Sequence, residues 1–157
     1  MSPTMTTPVK LAGSPAEKDA VADAVFRFCL AVDTRDPDLF DSSFTDDATI
    51  ELLGEKGTGL QAVRDLCYNR VAPLDTTHLV SNFRVNVEGS TASLTAVSYA
   101  QHFGKGKGMA PDSKFLLSGG IHRAQLVHDA ASGLWKIRSL AIDVHWTDGD
   151  FSVFQDK

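Results

Sequence analysis

Val21, Ala24, Val25, Phe28 and Val32 recur at i, i+3, i+4, i+7 and i+11, the spacing of one apolar face on an α-helix. Phe26, Cys29 and Leu30 flank that stripe, and Asp33 follows Cys29 by four and Leu30 by three. A carboxylate therefore stands beside the apolar face where the helix should end. The helix opens with a capping box: Ser14 as N-cap, Pro15 at the first helical position, Glu17 reaching back. Asp36-Pro37 starts a short second helix that runs through about Phe44. DATIELL (47–53) reads as a strand, and Gly54 to Gly59 as a turn. Leu60–Val71 reads as a third helix with Leu60, Val63, Leu66 and Cys67 inward, stopped by Pro73.

Beyond Pro73 the pattern changes period. THLVSNFRVNVEG runs to a turn at Glu88-Gly89-Ser90, and TASLTAVSYAQHF follows as a long strand. After the loop GKGKGMAPD come KFLLSGGIHRAQLVHD and, past a turn at Ala131–Gly133, LWKIRSLAIDVHW. Long strands joined in sequence by short or medium loops predict an antiparallel meander. With the helices first and the strands later, the class is α+β. Helices packed on one face of a strongly curved, mainly antiparallel sheet would enclose a pocket. No internal repeat or second domain is visible: residues 14–157 form one domain, preceded by a loosely ordered arm at 1–13.

The length of 157 residues is enough for one domain with a sizeable core. The net charge of −5, with no basic run beyond the diluted GKGKG, argues against a nucleic-acid footprint. No apolar stretch approaches the roughly 20 residues of a membrane helix. The first 13 residues lack the apolar core of a signal peptide, so cytoplasm is the expected location. Cys29 and Cys67 both fall in helices and are expected as buried thiols rather than a disulfide.

Asp33 carries the chemistry. An unpaired carboxylate beside an apolar face is costly, so it should be paired or else only cap the following turn, RDPDLF. Two histidines at strand positions could face it. His102 shares a face with Leu94, Ala96, Ser98 and Ala100, whose small members leave room for a cavity; the alternative is a strand-end surface histidine. His78 precedes Leu79-Val80 at a strand start, where a plain polar role is also open. His128 beside Asp129 reads as a turn residue and His145 as a surface or interface residue. No H-x-H, HExxH or CxxC spacing is present, which argues against a metal site. The glycines of GKGKG follow a strand, but no helix opens after them, so they form neither a Walker nor a Rossmann fingerprint. No G-x-S-x-G occurs, and neither cysteine has an evident base partner.

The order and spacing of AVDTRDPDLF, TTHLVSNFRV, SYAQHF, HRAQL and GLWKIRSLAIDVHW, with the tail DGDFSVF, resemble the nuclear-transport-factor-2-like superfamily. The likeness covers residue 14 to the end. Within that cone-shaped fold the chain is most similar to the SnoaL-like branch that includes scytalone dehydratase. The resemblance implies that Asp33 is the catalytic aspartate, His78 its paired histidine and His102 the second catalytic histidine. It places Gln125 where the family has a substrate-binding asparagine, Arg123 where it has a serine, and Phe151 and Phe154 in a C-terminal aromatic lid. Two tyrosines that hold a water on the substrate carbonyl in the dehydratase are replaced by Val32 and Leu52.

If Gln125 faces the pocket, strict alternation puts Arg123 beside it and turns His122 away. The resemblance then implies a cofactor-independent lyase or isomerase acting on a polyketide- or terpenoid-like hydroxy-carbonyl compound by dehydration, isomerisation or cyclisation. Asp33, His78 and His102 would move protons, and Arg123 and Gln125 would hold substrate oxygens. Such a reaction needs a base for the α-proton, an acid for the departing hydroxyl and stabilisation of the enolate between them. A carboxylate held against an imidazole suits it to the first two tasks. Two other readings stand beside this one. The first is a small-molecule binding protein without turnover, because one fold hosts both. The second is an epoxide hydrolase, which would need an Asp–Arg–Asp set; Arg123 and Asp143 exist, but alternation turns Asp143 from the pocket. Alternation also puts Leu126, Trp135 and Ile137 on the sheet's outer face, predicting a homodimer or homotrimer through that face.

Overall fold

The computed structural model describes residues 12–155. Most of the expected N-terminal arm lies outside them. Its last residues lie along a strand: Ala12 N donates to Asn86 Oδ1 (2.9 Å), and Val87 N donates to Ala12 O (3.1 Å). The helices are α1 (Pro15–Thr34), α2 (Pro37–Ser42), α3 (Leu60–Val63) and α4 (Asn69–Val71). A π-helical turn, Arg64–Tyr68, fuses α3 to α4, and a 3-10 turn, Phe151–Gln155, follows the last strand. The strands are β1 (Phe44–Leu52), β2 (Glu55–Thr58), β3 (Asp75–Glu88), β4 (Thr91–Phe103), β5 (Phe115–Asp129) and β6 (Leu134–Gly149). They form one open, mixed sheet in the order β2-β1-β6-β5-β4-β3, in which only β1 and β6 run parallel. The α+β class and the meander are as the sequence predicts. The stretch expected as a plain turn at 54–59 contains β2, which pairs with β1 and extends the sheet edge.

The capping box at Ser14 and Glu17 forms as predicted. The α1 stripe Val21, Ala24, Val25, Phe28 and Val32 is buried in the core cluster against Leu94, Leu126, Ile137 and Leu140. Arg27 ties the helix down: its guanidinium donates to Ser42 O (3.1 Å) and Trp135 O (2.7 Å), reaching α2 and β6 together. The end of α1 is set by Arg35, left-handed at φ 60°. Its side chain donates to Ala72 O (2.9 Å), Leu74 O (3.2 Å) and Asp75 Oδ1 (2.9 Å). This clamp brings the first residues of β3 against the last turn of α1, where Asp33 stands.

Two bulges in β6 change which residues face inward. Between Gln125↔Ser139 and Leu126↔Ile137 the register slips by one residue at Arg138. Such a slip exchanges the faces of the strand. Trp135 and Ile137 are therefore buried on the same side as Leu140, with Leu126 opposite Ile137. This corrects the alternation that placed Leu126, Trp135 and Ile137 on the outer face. The second slip lies between Gly119↔Trp146 and Gly120↔Val144. Trp146 packs against Gly119, where a Cβ would sit 2.3 Å from its ring, and a Cβ on Gly120 would meet Asp143 O at 2.0 Å. Glycine at both positions is what allows this close passage.

Candidate active site

The concave face of the sheet and the helices enclose a cavity of about 400 Å³, a size typical of small-molecule sites. Its walls are mostly apolar. Phe28 and Val32 come from α1, Leu52 from β1, and Leu66 and Cys67 from the π-helical turn. The wider π turn presents these two consecutive residues to the interior, both buried. Across the sheet, the inward positions Ser98, Ala100 and His102 of β4 pair with Gly120, Ser118 and Leu116 of β5, and His122 pairs with Ala96. Ile142, Val144 and Thr147 continue the wall on β6, while Phe151 and Phe154 close the C-terminal end. At the rim Arg70 makes a two-pronged pair with Glu55 (2.6 and 2.8 Å).

Asp33 stands just behind this wall and holds His78 by two bonds. His78 N donates to Asp33 Oδ2 at 2.8 Å, and His78 Nδ1 lies 2.6 Å from Asp33 Oδ1. Thr76 Oγ1 donates to the same Oδ1 at 2.8 Å. Burial pushes the Asp33 carboxyl upward, but the bonds and charge from His78, with the Thr76 bond, outweigh it and hold the group below the usual aspartate range. An ionised Asp33 places the His78 proton on Nδ1 and leaves Nε2 as its proton-accepting nitrogen.

His102 meets His78 edge to face, with ring centroids 5.4 Å apart. Its Nδ1 donates to Leu116 O (3.1 Å), and Phe154 packs against its other side at 5.4 Å. Burial pushes its pKa down to about 4, with the neighbouring His78 charge acting the same way. The ring is thus neutral near pH 7, with Nε2 as an acceptor.

The structure brings Asp33, His78 and His102 together and lines the cavity with Val32, Leu52, Phe151 and Phe154. It corrects the placement of Arg123 and Gln125, neither of which borders the cavity. Gln125 is exposed, and Arg123 Nε donates to Asp143 Oδ2 (2.7 Å) on the outer face. The reason is strand phase. Ala124 and Leu126 are buried inward, so Arg123 and Gln125 must point out and His122 must point in. The outward Arg123–Asp143 pair also removes the Arg and second Asp that an epoxide-opening set would need. His122 is 4% exposed, packs against Phe28 (5.9 Å) and has no hydrogen-bond partner at Nδ1. Leaving such an atom unpaired costs roughly 1–3 kcal/mol. Burial and the His78 charge push its pKa down to about 4. The sequence held the clue to this residue, since Ala124 and Leu126 share its parity. Ser118, Thr147 and the Glu55–Arg70 rim carried no comparable signal. Among the described residues no three His, Cys, Asp or Glu side chains cluster as metal ligands.

A helical layer over an open, mixed sheet that encloses an apolar cavity is the nuclear-transport-factor-2-like α+β fold. Within it, the chain belongs to the SnoaL-like domain family, which matches residues 15–141. It is 42% identical over 148 residues to the terrestric acid biosynthesis cluster protein E of Penicillium crustosum, covering 94% of this chain and 95% of that one. A candidate scytalone dehydratase from Novosphingobium aromaticivorans superposes with a TM-score of 0.72 at 19% identity, over 86% of this chain and 88% of that one. A hexachlorocyclohexane dehydrochlorinase from Novosphingobium barchaimii gives 0.70 at 18% identity, over 87% and 91%. These two likenesses show the shared fold. Among the described residues no helix is long and apolar enough to cross a membrane.

Proposed function

We propose that the chain is a cofactor-independent lyase or isomerase that moves protons on a polyketide- or terpenoid-like hydroxy-carbonyl compound. The observation that carries this reading is the His78–Asp33 pair at the wall of an apolar cavity, with His102 beside it. His78 Nε2 takes the proton from the carbon next to the carbonyl, and Asp33 balances the imidazolium that forms. In dehydration that proton passes to the departing hydroxyl, which leaves as water. In isomerisation it returns to another carbon of the enolate as the double bond shifts. In cyclisation the enolate carbon attacks a second carbonyl carbon of the same molecule, whose C=O π bond opens and whose oxygen takes the proton from His78. His102 accepts a hydrogen bond from the substrate hydroxyl at Nε2 and orients it. General acid–base catalysis of this kind contributes on the order of 10²–10⁴ in rate. The relative named for a biosynthesis cluster supports a secondary-metabolite substrate.

The test is incubation of the purified protein with metabolite fractions from its source, read by mass spectrometry, against a His102→Ala control. Turnover by the unmodified protein alone supports the reading. Tight binding of one compound by both proteins, without conversion, favours a binding protein.

The assembly belongs to the same reading. The chain forms a homodimer or homotrimer through the outer sheet face, where Leu79, Tyr99 and Trp146 are 59, 40 and 47% exposed. These form one cross-strand row, Leu79–Tyr99–Gly119–Trp146. Light scattering that finds a monomer across micromolar concentrations would contradict it.

A further inference from the structure

With Arg123 on the outer face and the two family tyrosines replaced by Val32 and Leu52, the acid–base reading lacks a group to stabilise the enolate oxygen. Removing an α-proton puts negative charge on the carbonyl oxygen, and a preorganised donor at that oxygen is usually a large part of catalysis. His122 is the buried polar side chain of the cavity wall whose hydrogen bonding is incomplete.

We propose that His122 is the oxyanion donor of this cavity, giving its imidazole N–H to the substrate oxygen that becomes the enolate. The inference rests on the acid–base reading and names the further catalytic residue that reading requires.

Three observations carry it. His122 borders the cavity from an inward position on β5, between Ala96 on β4 and Ile142 on β6. Its Nδ1 is sealed from solvent without a partner, in contrast to His102, whose Nδ1 is committed to Leu116 O. The tautomer with the proton on Nε2 leaves only a lone pair, not an N–H, unpaired at Nδ1, and frees an N–H for a ligand. Finally, His78 lines the same cavity as His122, so both rings border the space that one bound molecule would fill. Burial keeps the imidazole neutral near pH 7, so it donates a hydrogen bond without giving up its proton. The three histidines then divide the work: His78 takes the proton, His102 orients the hydroxyl and His122 holds the oxygen.

A binding experiment separates this from the catalytic reading. The probes are 2-naphthol, an apolar bicycle with one acidic oxygen, and 2-methylnaphthalene, its isostere without oxygen. The wild type is expected to bind 2-naphthol at least about tenfold more tightly, the effect of one buried hydrogen bond made or lost. His122→Phe should reduce that preference to below about twofold, and His122→Gln, which keeps a donor, should restore part of it. In wild-type protein labelled with ¹⁵N-histidine, the His122 ring signal should shift with 2-naphthol and not with 2-methylnaphthalene; this readout does not depend on the variants folding. No preference in the wild type, a preference that survives His122→Phe, or an unmoved His122 signal would each overturn the proposal. Asp33→Asn should slow turnover by about 10²–10⁴-fold yet keep the 2-naphthol preference. Full turnover by Asp33→Asn sinks the acid–base reading, whereas loss of discrimination at His122 alone bears on the donor.

Discussion

His78 is held by Asp33 from two directions, through its backbone N–H at 2.8 Å and its ring Nδ1 at 2.6 Å. The backbone bond ties the fourth residue of β3 to the end of α1, and the ring bond fixes the tautomer. One carboxylate thus sets both the position and the proton of the base. The Arg35 clamp on Ala72 and Leu74 holds the two chain segments at this distance.

Replacing Asp33 by Asn keeps the shape of the site and removes its charge. Turnover should fall by about 10²–10⁴-fold, with a smaller change in ligand affinity. Thr76→Val removes one of three donors to the carboxylate and should cost about 1.5 kcal/mol of stability in denaturant unfolding, the low end for a bond to a charged group. Thr76→Val as inactive as Asp33→Asn would argue that the threonine acts directly on substrate.

Acid should destabilise the protein in two stages. His102 and His122 titrate near 4 when folded because burial disfavours their charged forms, and near the ordinary 6.5 when unfolded. Between those values the unfolded chain binds more protons, so stability falls as pH drops from about 6.5 to about 4. The slope is up to about 1.4 kcal/mol per pH unit for each histidine. Asp33, held below its ordinary range, adds a further loss at lower pH, as its carboxylate is protonated. Denaturant midpoints measured from pH 8 to 4 check this. A flat profile above pH 4.5, or one unchanged by His122→Phe, would contradict it.

Both cysteines should be inert in the folded protein. Burial pushes the Cys29 thiol far up, with Asp33 and Cys67 adding to it, and burial raises Cys67 to about 12. A thiol reagent at pH 8 should label neither until denaturant is added, because the thiolate is the reactive form. Rapid labelling of Cys67, which borders the cavity, would show that the site opens readily to solvent.

The lid and the outer face should behave differently. Phe154→Ala removes the ring packed on His102 and should raise KM several-fold. Arg123→Ala breaks a half-exposed pair with Asp143 and should leave KM and kcat within about twofold, with under about 1 kcal/mol of stability lost. A large KM effect at Arg123 would return it to the pocket.

Much of this was legible in the chain. The α1 stripe, the capping box and the meander follow from local periodicity, and Asp33 betrayed itself by standing beside an apolar face. The failures came where one residue's slip reverses a strand. The bulge at Arg138 turned Trp135 and Ile137 inward, and no propensity rule marks such a slip. At Arg123 and Gln125 the family likeness overrode the plainer signal, since Ala124 and Leu126 share the parity of His122. The π-helical turn that aims Leu66 and Cys67 at the cavity depends on tertiary packing rather than on periodicity.

The central claim is that His78, backed by Asp33, removes a carbon-bound proton. The most direct measurement is turnover of source metabolites in D₂O, followed by mass spectrometry, with wild type and Asp33→Asn side by side. The account predicts that one compound loses the mass of water or gains deuterium beside its carbonyl with the wild type, and that Asp33→Asn slows this at least about a hundredfold. A compound that is bound by both proteins but neither dehydrated nor deuterated, or that is converted equally by both, would contradict it.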